Sequence, residues 1–107
     1  MKENWNTGNL DTLLLGILRQ RAAHGYELIQ KLKETSEGEF DLPEGTVYPS
    51  LHRLEKSGAI SSSWDSSSGR RRRIYEITPV GKAALQSGKK AWAKYSYSVN
   101  MVLGMSS

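Results

Sequence analysis

Four consecutive arginines, Arg70 to Arg73, follow the turn-forming run Asp65-Ser66-Ser67-Ser68-Gly69. Cations crowded in this way repel one another, and folding stability gives no reason to gather them, whereas a line of phosphates does. A second candidate is the set Glu44, Gly45, Thr46, Tyr48, Pro49, Ser50, His52, Arg53 and Lys56, which shares one face of a helical pattern whose opposite face is Val47, Leu51 and Leu54. That face supplies donors, acceptors and apolar groups for base edges and phosphates. Each feature has a plainer alternative: an ordinary solvated face for the helical set, and for the charge run, arginines such as Arg72 and Arg73 that simply point to water.

Other chemistry is poorly served. The 107 residues contain no cysteine, so disulfides, thiolate zinc sites and a cysteine nucleophile are excluded, and His24 and His52 are the only strong nitrogen ligands. Neither histidine shares a helical face with a carboxylate or a third ligand, so no metal pair is expected. No nucleophile stands beside a base and no glycine-rich loop suits a phosphate, so neither an enzyme nor a cofactor is expected.

The formal net charge is +4, unevenly placed: Glu34, Glu37, Glu39, Asp41 and Glu44 form an acidic stretch, and after Glu76 only the cations Lys82, Lys89, Lys90 and Lys94 occur. With 37% hydrophobic and 24% charged residues, the composition is that of one ordinary globular domain. No apolar run approaches the roughly 20 residues that span a bilayer. The start, MKENWNTGNLD, lacks the basic and apolar stretches of a secretory signal, so a cytoplasmic protein with no membrane partner is expected.

The elements follow from periodicity. Leu10, Leu13, Leu14, Ile17 and Leu18, with Leu15 beside them, form the stripe of a first amphipathic helix. Ala22-Ala23-His24-Gly25 interrupts it, and Tyr26, Ile29 and Leu32 carry a second helix as far as Thr35-Ser36-Glu37-Gly38. Pro43 at the first helical position opens a third helix, with an irregularity at Pro49 and a glycine cap at Ser57-Gly58. Ala59 to Trp64 and Arg72 to Thr78 are two strands of a hairpin, with Ile60 and Trp64 on one face of the first and Tyr75 and Ile77 on one face of the second. Thr78-Pro79 caps a fourth helix reaching about Leu103 before Gly104. Its Leu85, Gly88, Trp92, Tyr95, Val99 and Val102 alternate by three and four residues, as a heptad seam does. The expected fold is mainly α with a β-hairpin (α+β): a winged helix-turn-helix over residues 1–78 plus a long C-terminal dimerisation helix over 79–107, one compact unit overall.

The stretches HGYEL (His24 to Leu28), PEGTVYPSLHRLEKSGAI (Pro43 to Ile60) and GRRRRIYEITPVGKAAL (Gly69 to Leu85) resemble the PadR-like family of regulators, and the spacing between them also fits. Val47 stands where leucine is more usual. The single C-terminal helix is similar to the short subfamily. The resemblance implies a homodimeric repressor on a pseudo-palindromic operator of double-stranded DNA. It places Tyr26, Thr46, Tyr48, Pro49, Ser50, His52, Arg53 and Lys56 toward DNA, with Ser68, Gly69, Arg70 and Arg71 in the wing. Tyr48 is either a contact to phosphate or a packing residue.

Leu85, Gly88, Trp92, Tyr95, Val99 and Val102 are the expected dimer interface, since an exposed apolar seam is a liability in a monomer. Lys82 and Lys89 fall beside that seam without acidic partners, so the fourth helix is expected to lie partly on the partner's first helix, near Asp11. Trp92 and Tyr95 form a candidate pocket for a flat aromatic effector, as the short subfamily implies; a plain core tryptophan is the alternative. Without an acid after Glu76, a cationic ligand is disfavoured. The competing function is a ligand- or protein-binding dimer without sequence-specific DNA recognition.

Overall fold

The computed structural model describes residues 2–106, and side chains from residue 9 onward. The order is α1 (Lys2–Gln20), β1 (Ala23–His24), α2 (Gly25–Thr35), α3 (Glu44–Lys56), β2 (Ile60–Asp65), β3 (Arg72–Ile77) and α4 (Pro79–Leu103). The stripe on α1 is buried as its spacing requires, and Leu10, Leu14, Leu15, Ile17 and Leu18 share one core with Leu28, Leu32, Val47, Leu51, Leu54, Ile60, Tyr75 and Leu85. Every later element contributes to that core, so α1 acts as the common packing surface.

Two local expectations change. Ala23–His24, read as an interruption, is a short strand that pairs antiparallel with β3 through Ala23↔Tyr75 and His24↔Ile74, giving the sheet order β1-β3-β2. Two residues carry no detectable alternation, and their pairing exists only because it covers the second edge of β3. In α2 the buried positions are Leu28 and Leu32, while Tyr26 is 63% exposed and Ile29 only half-buried. The i,i+4 step from Leu28 to Leu32 is the one that faces α1.

Pro43 is likewise not the first residue of α3 but its extended N-cap, with φ −80° and ψ 162°, and its carbonyl accepts from the amides of Thr46 and Val47. The helix runs through Pro49 without a break and stops at Ser57, where Gly58 turns to φ 85°. α4 begins as its sequence predicts: the Thr78 hydroxyl accepts from the Gly81 amide at 3.1 Å, and Pro79 is the first helical residue.

The largest correction concerns α4. Leu85 is buried in the chain's own core, and Gly88 lies so close to α1 that a Cβ there would overlap the Thr12 side chain. These two positions of the expected dimer seam are therefore used within one chain. Within the chain α4 also packs on α1, and Asp11 is paired with Arg53. Beyond Gly88 the helix leaves the core: Trp92, Tyr95 and Val102 are exposed and Val99 is half-buried. Gly88→Leu should lower folding stability by about 1–3 kcal/mol, read as the urea midpoint; an unchanged midpoint would contradict the close α1–α4 approach.

Candidate nucleic-acid interface

With Val47, Leu51 and Leu54 turned into the core, the outer surface of α3 is set by helical geometry. Pro49, His52, Arg53 and Lys56 are exposed, Thr46 is half-buried, and Tyr26 projects from the neighbouring α2. Ser50 does not belong with them: it is 2% exposed and accepts a hydrogen bond from Arg53 Nη2 at 3.0 Å. The turn that brings Val47 and Leu51 inward carries Ser50 with it, so it serves as an anchor beneath the surface. The same Arg53 Nη2 donates to Asp11 Oδ1 at 2.9 Å. Burial raises the Asp11 carboxyl pKa even though Arg53 opposes that shift. Arg53 is thus tethered to α1 with about half of its side chain still open to solvent.

Tyr48 packs against the start of α2 and keeps an accessible edge. A Cβ on Gly25 would overlap its ring and hydroxyl, so the absence of a side chain at Gly25 is what allows the phenol to lie across the start of α2. Burial, with Glu44 as a lesser cause, raises the Tyr48 pKa. The hydroxyl therefore stays protonated at physiological pH.

The hairpin pairs in the register Ile60↔Ile77, Ser62↔Tyr75, Trp64↔Arg73 and Asp65↔Arg72, leaving Ser66 to Arg71 as the tip. Ser68, Gly69, Arg70 and Arg71 are all exposed there, as expected of a wing. Arg72 and Arg73 do not simply face water. Arg72 Nη2 donates to Ser68 Oγ at 3.2 Å, while Arg73 lies 3.7 Å from Glu55 Oε2 and, like Arg71, sits over the Trp64 ring. Glu55 also accepts from Ser62 Oγ at 2.6 Å and so ties β2 and β3 to the end of α3. Glu55 was not singled out from the sequence, and Trp64 and Arg73 were not joined there; cross-strand pairing is the signal that would have joined them.

His24 links the wing to α2. Its Nδ1 and its backbone N–H each lie 2.7 Å from Glu27 Oε1, and its Nε2 lies 2.8 Å from Asp65 Oδ2 at the end of β2. Both ring nitrogens act as donors when the imidazole carries two protons; in the neutral ring one contact loses its hydrogen. The histidine is nearly buried, so this bridge has few alternatives in solvent. No cluster of three metal-ligating side chains occurs among the described residues.

Three helices, α1 to α3, sharing one core with a basic hairpin beside the third define a winged helix-turn-helix protein, a DNA-binding class. The chain belongs to the transcriptional regulator PadR-like family, whose profile matches residues 14–87. It is 43% identical over 68 residues to the transcriptional regulator Rv3488 of Mycobacterium tuberculosis, a match covering 64% of this chain and 61% of that one. Among solved structures it is similar to a transcriptional regulator from Clostridium thermocellum, with TM-score 0.84 and 28% identity, covering 92% of this chain and 96% of the other. A PadR-like regulator from Bacillus cereus is similar at TM-score 0.79 and 34% identity, covering 94% and 96%. The chain is accordingly a DNA-binding transcriptional regulator and not an enzyme. No helix among the described residues is long and apolar enough to cross a membrane.

The bridge at His24 sets an acid dependence. Hydrogen bonding from the His24 backbone holds the Glu27 carboxyl below its ordinary pKa, and the Ser67 backbone, with His24 contributing less, does the same for Asp65. A carboxylate lowered in the folded state adds stability that is complete above the ordinary carboxylate range, about pH 4, and is lost as pH falls through the lowered value. Glu27→Gln should therefore lower the thermal midpoint at neutral pH and flatten its decline below about pH 4. Parallel curves for the variant and the parent would show that the bridge makes no such contribution.

Proposed function

We propose that the chain represses transcription as a homodimer on a pseudo-palindromic operator. In this reading α3 enters the major groove with Thr46, Pro49, His52, Arg53 and Lys56, while Tyr26 and the Tyr48 hydroxyl lie beside it, and Ser68 to Arg71 follow the backbone into the adjacent minor groove. The observation that carries the dimer is the apolar second half of α4: Trp92, Tyr95, Val99 and Val102 lie beyond the chain's own core, and Trp92 remains 50% exposed. A surface of that kind favours a second copy, and twofold pairing supplies two reading helices about 34 Å apart, one turn of the duplex. The dimerisation unit is thus the part of α4 beyond Gly88, while its first turns complete the DNA-binding unit. The protein acts in the cytoplasm.

An effector reading rests on the same helix. Trp92 lines a shallow depression of about 230 Å³ with Leu13, Phe40 and Lys89, and its ring stands 6.0 Å from that of Tyr95. A flat aromatic molecule that enters there, between the two copies, would reset the spacing of the wings and release the operator. Lys89, with no acid on α4, disfavours a cation.

Light scattering at micromolar concentration should give the mass of two copies, and footprinting should find protection on the promoter of the chain's own gene; a single-copy mass without protection would end the proposal. Arg70→Ala and Arg71→Ala should each weaken binding to every duplex and lower the slope of log affinity against log salt by about one. Changes at His52 or Thr46 should instead alter preference among operators. Unchanged salt slopes would remove the wing from the interface.

A further inference from the structure

Trp64 is a large apolar side chain that is 55% exposed, beyond the edge of the core, on the hairpin face that carries Ile60 and Ser62. Strand alternation separates the four arginines. Arg71 and Arg73 share the Trp64 face, with Arg73 its direct cross-strand partner, and their guanidinium carbons lie over the indole at 4.3 and 4.8 Å from the ring centroid. Arg73 is also held toward α3 by Glu55 at 3.7 Å. Arg70 has no such holder among the described residues.

Two cations over one ring need a reason, because they repel each other. The negative π face of the indole, the strongest of the aromatic side chains for this purpose, supplies the offset. A cation–π contact is made to the ring rather than to a hydrogen-bond acceptor, so it does not itself occupy the guanidinium's five N–H donors. The stack therefore orders Arg71 without consuming the groups that a phosphate would accept from. It also connects the wing, through Arg73 and Glu55, to the helix placed in the major groove.

We infer that Trp64 is a positioning residue for DNA binding: its indole holds Arg71 and Arg73 in a preset geometry, so that the wing meets the phosphate backbone without first ordering two long side chains. This inference rests on the DNA-binding wing proposed above. Arginine side chains lose rotamer freedom when fixed, and an interaction that fixes them before contact lowers that cost on binding.

The test measures affinity for a duplex of about 30 base pairs, long enough for two half-sites one helical turn apart, by fluorescence anisotropy in low salt. Trp64→Leu, which keeps apolar bulk but has no π face, should weaken binding roughly three- to ten-fold, and Trp64→Tyr should recover much of the loss. In a background of Arg71→Ala with Arg73→Ala, Trp64→Leu should cost less than about two-fold, because nothing remains to be positioned. A purely structural tryptophan would cost the same in both backgrounds, and that result overturns the inference. In the free protein, the side-chain protons of Arg71 and Arg73 should show upfield ring-current shifts that vanish in Trp64→Leu; unshifted protons in the parent overturn it as well. If the parent binds and the cycle is additive, only the positioning role falls. If the parent does not bind the duplex at all, the wing reading falls and takes this role with it.

Discussion

The apolar stripe on α1 is the constraint from which the arrangement follows. Leu14 and Leu18 share one cluster with residues of α2, α3, the hairpin and α4, and each fully buried leucine contributes about 1.5–3 kcal/mol. A small domain has no second core on which to rebuild if this one shifts. With Val47, Leu51 and Leu54 committed inward, the outward direction of Thr46, His52 and Lys56 is no longer free. The reading surface of α3 is thus specified by the residues that never touch solvent.

Polar tethers finish what the core begins, at the places where apolar contacts run out. Arg53 ties α3 to Asp11 of α1 and to Ser50 beneath it; Glu55 joins the end of α3 to Ser62 and Arg73; His24 joins the start of α2 to Asp65. None of these pairs is a strong source of stability, because partly exposed ion pairs contribute little net energy. Their value is directional: Arg53 fixes α3 relative to α1, while Glu55 and His24 fix the hairpin relative to α3 and α2. The raised Asp11 carboxyl pKa shows the desolvation cost that accompanies such placement.

α4 does two jobs in sequence along its length. Gly81 and Leu85 are buried against the core and Gly88 admits Thr12 of α1, so the helix leaves the domain in a fixed direction. A 25-residue helix is about 37 Å long. Its apolar second half is therefore carried well clear of the body that anchors it. In the twofold pair we propose, a change near Trp92 would act on the direction of this rod relative to α1 and so on the separation of the two wings.

Most of the fold was legible in the residues, because periodicity reports which side of an element is buried. The stripes of α1 and α3, the hairpin, the Thr78-Pro79 cap and the glycine stops at Gly58 and Gly104 all rest on local patterns that a single segment carries. The arginine run likewise marked the hairpin tip from sequence alone. What the residues could not specify were relations between segments. A heptad seam looks the same whether its partner is a second copy or the chain's own α1, so the spacing could not show that Leu85 and Gly88 pack within the chain. A two-residue strand exists only beside β3, and Ser50 is buried because α3 turns Val47 and Leu51 into the shared core beside it. The Trp64 stack, too, depends on a strand register that brings residues nine positions apart to face each other. Local chemistry chose the elements; the shared burial of α1 decided what each of them touches.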